Sequence, residues 1–403
     1  MAIAHRAEGA AQLQVRRVVV SGYYGFDNSG DEAVLKSILT ALADEGASQG
    51  IRIEPIVLSI DPAWTSEMYG VESVHRMRLL DVLKAIRSSD GLISGGGSLL
   101  QDATGALTIP YYTGVLRLAQ LLRKPTFVYA QGIGPVNRRW MDRLIRCVMR
   151  RSAYVSVRDA ESAALLGRMG VEEGRIEVVP DPVMGLPLPA PGEAGLAVGG
   201  GAAGAAAAAR PAAAGGMAPG EAAQVPLVGV SLRHWRKDGA DLARAAAALG
   251  ALARSRAVRL RFLPFHTPSD AETSQWVIGQ LGELGPGSSA ELAEPGDNPQ
   301  RMLLEVSQCD LLFGMRLHAL IYAANQSVPM LGLSYDPKID QFLNRLGMKP
   351  IGTTEALDPE GFTSEAMRLL DHRDEWLEEH RARIEQLKQE ARRPAQQIVS
   401  LLR

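Results

Sequence analysis

At 403 residues the chain is longer than one ordinary hydrophobic core supports, so two domains are the starting expectation. Its 46% apolar and 22% charged composition is that of a globular enzyme, and a formal net charge of −2 excludes a global electrostatic drive toward nucleic acid. The two cysteines, Cys147 and Cys309, have no metal-ligand spacing, suit a reducing compartment and sit in apolar contexts that predict buried thiols.

Residues 1–14 lack the continuous apolar stretch of a signal peptide, and no apolar run is long enough to span a bilayer. The expectation is a cytoplasmic protein that can work peripherally at the inner face of the membrane. Strand and helix patterns then alternate. Residues 17–20 form a buried strand ending at Ser21-Gly22, 32–43 a helix and 53–60 a second strand. A short apolar strand at 91–94 runs into Gly95-Gly96-Gly97, where a tight strand-to-helix turn is expected. A helix at 111–122, a strand at 126–130, a helix at 138–149 and a strand at 154–157 complete the first half. Apolar strands separated by helices predict a parallel sheet wound on both faces.

Between 185 and 225 the composition collapses into Ala, Gly and Pro, which predicts a flexible linker unable to offset its ordering entropy. The alternation restarts with strands at 227–232, 258–263, 310–313 and 329–333 and helices at 239–255, 300–307 and 319–325. Trp376, Ile384, Leu387, Ile398 and Leu401, spaced among charges, predict an amphipathic C-terminal helix over 375–402. The expected organisation is an N-terminal Rossmann-like α/β domain (15–184), the linker (185–225), a C-terminal Rossmann-like α/β domain (226–372) and a closing helical segment (373–403). The two Rossmann-like domains are expected to face a cleft. Ligands of such sheets bind beyond the carboxyl ends of the strands.

In the first domain, Gly25 and Gly30 have P-loop spacing, but Asp31-Glu32 replace the Lys and Ser/Thr that a nucleoside triphosphate needs, which excludes a P-loop. Asn28 and Asp31 can cap the following helix and complement its dipole, or hold sugar hydroxyls. Gly96, Gly97 and Gln131 occupy strand ends open to backbone approach by a ligand, and the glycines do not satisfy the dinucleotide fingerprint. Tyr23, Tyr24, Trp64 and Tyr112 offer either a sugar platform or core packing. The second domain is more telling. Its strands lead into Arg233-His234-Trp235-Arg236-Lys237, Pro264-Phe265-His266, Met315-Arg316-Leu317-His318 and Ser334-Tyr335-Asp336-Pro337-Lys338, and Arg158 ends a strand of the first domain. Cations beside helix N-termini predict an anion site. Arg316 and His318, two apart in a turn, pair a permanent forked donor with a group that changes charge near neutral pH.

The segments 22–32, 95–101, 131–135, 156–159 and 316–318, in this order, resemble the polysaccharide pyruvyl transferase family, most closely its bacterial cell-wall members. The resemblance spans nearly the whole chain apart from the first residues and the Ala/Gly/Pro linker, which departs from the family. It implies a GT-B-like fold and transfer of pyruvate from phosphoenolpyruvate (PEP), a donor substrate, with no further cofactor. The acceptor it implies is N-acetylmannosamine of a lipid-linked polymer precursor, modified as a 4,6-ketal in the biogenesis of a surface-layer-anchoring secondary cell-wall polymer. By the same resemblance His318 is the general acid and Lys338 stabilises departing phosphate. Arg316 and the N–H groups around Leu317 hold PEP, Arg158 is a second clamp and Arg233 a further anion contact. His266, Asn28, Asp31, Gly96, Gly97 and Gln131 complete the expected substrate contacts.

No strand end gathers Asp, Glu and His in the number a divalent metal needs. Two other readings use the same folds: a nucleotide-sugar glycosyltransferase, although the paired-glutamate pattern of many such enzymes is missing between Gly314 and Gly347, and a non-catalytic sugar- or anion-binding protein. A nicotinamide oxidoreductase would need the absent glycine fingerprint.

Overall fold

The computed structural model describes residues 14–26, 28–103, 105–189, 225–294 and 298–403. The first thirteen residues and positions 190–224, most of the expected linker, lie outside the described residues. The chain divides into two compact units, one made of Met1–Phe26, Ile38–Val179 and Arg392–Arg403, the other of Asp27–Ser37 and Pro180–Ala391.

The first unit is built on β1 (Gln14–Tyr24), β2 (Ile51–Ser59), β3 (Glu72–His75), β4 (Gly91–Ser94), β5 (Gly97–Leu100), β6 (Thr126–Ile133), β7 (Tyr154–Val157) and β8 (Ile176–Val178). They form one sheet in the order β3-β2-β1-β4-β6-β7-β8, with β5 added alongside β6, and every pairing is parallel. Val18, Val19 and Val20 are fully buried, as expected of a central strand covered on both faces. The helices between these strands include α1 (Ser29–Ser48), α2 (Pro62–Tyr69), α3 (Leu79–Ser88), α4 (Thr108–Leu121), α5 (Trp140–Met149) and α6 (Ala160–Arg168). Strand order reverses between β1 and β4, whose ends meet at Ser21 and Ser94.

Two local expectations are corrected here. Gly95-Gly96-Gly97 is not a strand-to-helix turn, because Gly97 opens β5, and Gln131, Gly132 and Ile133 belong to β6 rather than to a loop after it. A side chain at Gly22 or Gly95 would strike the Tyr24 phenol, so both glycines make room for its buried ring. Tyr24 and Tyr112 are therefore core residues and not part of a platform.

The second unit holds β9 (Leu227–Ser231), β10 (Arg259–Phe262), β11 (Ser289–Leu292), β12 (Leu311–Gly314), β13 (Met330–Ser334) and β14 (Gly352–Thr353). Their order, β11-β10-β9-β12-β13-β14, is the doubly wound arrangement with its switch between β9 and β12. The flanking helices include α7 (Ala240–Ser255), α8 (Ser269–Gln280), α9 (Pro299–Ser307), α10 (Leu317–Asn325), α11 (Pro337–Leu346) and α12 (Pro359–Asp371). A repeated local signal starts several helices: Asn298-Pro299, Asp336-Pro337 and Asp358-Pro359 each place an accepting side chain at the N-cap and proline in the first turn. Asp181-Pro182 does the same for the short 3-10 turn Pro182–Gly185.

The C-terminal helix α13 (Arg373–Leu402) buries Trp376, Ile384, Leu387 and Ile398 as expected. Leu401 is exposed, and Leu402 takes the inward position instead. Cys309 is buried, whereas Cys147 is only half-buried, beside the Arg151 guanidinium.

Candidate functional site

The second unit brings eight of the expected residues to one sheet edge. Gly314 of β12 pairs with Ser231 of β9, and the Met315 N–H donates to the Ser231 carbonyl at 2.8 Å. Arg316 and Arg233 each follow two residues later, so both cations leave the switch point where ligands of this fold bind. The Arg233 Nη1 donates to the Tyr335 hydroxyl at 3.0 Å, and its guanidinium lies over the rings of Trp235 and Tyr335 at 5.5 and 5.2 Å from their centroids. Arg316 donates to Asp270, a carboxylate 1% exposed in the first turn of α8. Asp270 also accepts the His266 backbone N–H at 3.0 Å. The Nε groups of Arg233 and Arg316 and the hydroxyl of Ser231 are buried with no hydrogen-bond partner among the described residues. A buried donor without a partner costs about 1–3 kcal/mol, so these groups are poised for an acceptor that supplies the missing bonds.

Arg316 caps α10 by position only. Unlike the Asp/Asn-Pro helices, α10 has no capping side chain at its N-terminus and no acid within its own first turn to complement its dipole. Leu317 opens this helix, and His318 lies in its first turn. The Arg316–His318 segment is thus the cap and first turn of α10. Residue 316 remains extended while 318 is already helical, so the two side chains leave the backbone in different directions.

His318 is held from two sides. The backbone of Gly30, at the start of α1 (Ser29–Ser48), lies against its ring, and the Asp181 carboxylate is 3.9 Å from its Nε2. Asp181 is 5% exposed and also accepts the Val183 N–H at 3.1 Å. At the far end of α10 the Asn325 amide donates to the carbonyls of Val183 and Leu186 at 2.7 and 3.0 Å, fixing the Pro182–Gly185 turn along the helix. Burial pushes the Tyr322 phenol, one turn after His318, to a raised pKa, so it stays neutral.

Asn28 acts as the cap its residue type allows: its Oδ1 accepts the Gly30 N–H at 3.1 Å and its Nδ2 donates to Asp31 at 2.6 Å. Asn28 also forms an antiparallel bridge to His266, whose ring contacts Ser269 at 3.2 Å. Lys338 is half-buried in the first turn of α11, where the Asp336 carboxylate accepts its backbone N–H at 3.0 Å.

Arg158, Gln131, Gly96 and Gly97 gather in the first unit. Arg158, 9% exposed at the end of β7, donates to Ser98 at 2.8 Å and lies 3.7 Å from Asp159. Gly132 allows this: a Cβ there would come within 3.0 Å of both Arg158 Nη2 and Ser98 Oγ. Gln131 is fully buried, donates weakly to Ser94 at 3.4 Å, and its Oε1 has no partner among the described residues.

Four residues escaped sequence reasoning: Gly30, Asp181, Ser231 and Asp270. Asp181 carried a usable signal in its Asp-Pro start, and Ser231 in a lone hydroxyl ending an apolar strand. Asp270 is an ordinary first-turn acid and only its burial under Arg316 sets it apart.

A family model described as polysaccharide pyruvyl transferase matches residues 28–337, most of the chain and all of the second-unit residues above except Lys338. The chain belongs to the polysaccharide pyruvyl transferase family. Membership makes it a transferase. A comparison with curated proteins gives no match. Among solved structures this pyruvyl transferase is similar to a glycosyltransferase from Rickettsia africae (TM-score 0.59, 11% identity, 96% of this chain and 98% of that one). It is also similar to the UDP-GlcNAc 2-epimerases of Methanocaldococcus jannaschii (0.56, 12%, 89% and 93%) and of Neisseria meningitidis, the latter bound to UDP-GlcNAc (0.54, 10%, 91% and 94%). At such identities the likeness concerns the fold, which is GT-B-like. Among the described residues no helix is long and apolar enough to cross a membrane.

Proposed function

We propose that the protein transfers pyruvate from PEP to a sugar, forming a 4,6-ketal and releasing phosphate, with N-acetylmannosamine of a lipid-linked cell-wall precursor as the acceptor. The observation that carries this reading is the pair of half-buried guanidinium groups, Arg233 and Arg316, each with a buried Nε that has no hydrogen-bond partner among the described residues, at the switch point beside the uncapped α10. PEP supplies both a carboxylate and a phosphate to such donors. His318 donates a proton to the methylene carbon of PEP, which makes C2 electrophilic. One sugar hydroxyl adds to C2 and its proton restores His318. The C2–O bond to phosphate then breaks, with Lys338 neutralising the leaving group and Arg158 assigned as a second anion clamp by family likeness. The second hydroxyl adds to C2 and closes the ketal, its proton leaving with phosphate.

The test is incubation of the full chain with PEP and a panel of synthetic acceptor glycans, with free phosphate and product mass as readouts. Phosphate release that requires both substrates, with the mass of a pyruvyl ketal, is the expected outcome. Turnover of a uridine-diphosphate sugar in place of PEP, or binding without turnover, would overturn the assignment.

A further inference from the structure

The outer face of α3 in the first unit breaks the rule that large apolar side chains turn inward. Its inner face buries Val82, Ala85 and Ile86. On the outside Leu79 and Leu80 are 69% and 71% exposed, and Met77, just ahead of the helix, is 64% exposed. Leu107, one turn before Tyr111 on α4, is 79% exposed, and the Tyr111 hydroxyl donates to the Arg76 carbonyl at 3.1 Å, next to Met77. The same stretch is cationic. Arg78, Lys84 and Arg87 are exposed, and Asp81 is the one acid in α3.

This surface is held in place. The Arg76 guanidinium, 8% exposed, donates to the Gly22 carbonyl at 2.8 Å and the Tyr112 hydroxyl at 3.1 Å, and sits 4.4 Å from the Tyr111 ring centroid. The segment from Arg76 to Leu80 is therefore tied to the end of β1 and to α4, and its exposed side chains project from a fixed base.

We propose that this face docks the protein on an anionic lipid bilayer, with Met77, Leu79, Leu80 and Leu107 entering the headgroup boundary and Arg78, Lys84 and Arg87 meeting acidic headgroups. An apolar cluster rimmed by cations is the composition of an interfacial helix. Charge selects lipid over a second copy: a two-fold contact through this face would bring the same cations toward one another. The C-terminal helix is unsuited because six acids balance its six Arg and Lys residues and its large apolar side chains are buried apart from half-buried Leu377 and exposed Leu401. The inference deepens the proposed function and rests on it for the reason a bilayer is needed, since a lipid-linked acceptor is confined there.

The experiment is co-sedimentation of the full chain with vesicles of phosphatidylcholine alone or mixed with phosphatidylglycerol, alongside turnover of PEP with a soluble acceptor. The wild type should partition onto the phosphatidylglycerol vesicles. Leu79→Ser with Leu80→Ser, and separately Lys84→Glu with Arg87→Glu, should each lower binding about tenfold or more, with soluble-acceptor turnover and Tm unchanged. Equal wild-type binding to both vesicles, no binding, or variants that bind like wild type would overturn the docking assignment. So would a wild-type dimer that the leucine variant converts to monomer. Lipid binding without any PEP turnover sinks the chemistry and keeps the surface, and turnover without lipid binding does the reverse.

Discussion

Gly30 and His318 are in direct contact: a Cβ at position 30 would lie 2.6 Å from Cε1 and 2.9 Å from Cγ of the imidazole. Real Cβ atoms do not approach so closely, so the absence of a side chain at residue 30 sets where the ring can sit. Gly30→Ala should displace the imidazole and lower kcat roughly 10- to 100-fold, since a misplacement of about 1 Å costs that much. PEP affinity by calorimetry should change little. A variant with wild-type kcat would show that His318 tolerates displacement.

His318→Gln keeps a polar side chain without a transferable proton. Turnover should fall by about 100- to 10,000-fold, with PEP binding retained. Asp181→Asn removes the carboxylate facing Nε2 at 3.9 Å, so the imidazole loses an orienting partner and kcat should fall with PEP binding retained. An unchanged kcat would reduce Asp181 to a structural cap of the Pro182–Gly185 turn.

Arg316→Ala should weaken PEP binding, and Asp270→Ala should do so indirectly by freeing the guanidinium from its fixed direction. The two differ in stability. Removing Arg316 leaves Asp270, 1% exposed, as a buried carboxylate without its cation, a loss of about 3–5 kcal/mol, so the Tm of Arg316→Ala should fall more than that of Asp270→Ala, which leaves a partly exposed guanidinium. Lysine at 316 should not restore affinity if two forked donors are needed. Titration calorimetry and thermal unfolding measure both.

Burial pushes the Cys309 thiol up to about 12, well above an ordinary thiol. It stays neutral in the folded protein at pH 8, so a thiol reagent should modify one cysteine, Cys147, in the native state and two after unfolding. The sign of the linkage follows. Above pH of about 8.5 the unfolded thiol ionises and the buried one does not, so the unfolded state holds fewer protons and stability falls with rising pH. Cys309→Ala should flatten that part of the stability curve, read from unfolding midpoints between pH 8 and 10.

Elements that the sequence leaves unmarked are unmarked for physical reasons. β3 is an edge strand of mixed polarity, Glu-Ser-Val-His, with no alternation to mark it, and α3 has its apolar residues on both faces. β5 follows Gly95-Gly96, and glycine signals a permissive backbone without saying what it makes room for, which at Gly95 is Tyr24. By contrast Gly91–Ser94 and Tyr154–Val157 coincide with their expected strands, since a short apolar run bounded by polar residues has few alternatives in a covered parallel sheet.

Local chemistry is what the sequence by itself determined. Apolar runs separated by helical periods specify two doubly wound sheets, Asp/Asn-Pro pairs specify helix starts, and Arg233, Arg316 and Lys338 are legible as cations that follow strands. The tertiary structure decided which groups meet. It set Asp270 under Arg316 and brought Gly30 and Asp181 to His318 from distant parts of the chain. It also turned Leu79 and Leu80 outward while burying the face of α13. Side-chain pairing across long separations depends on sheet order and on which backbone lies over which ring. No local propensity encodes either.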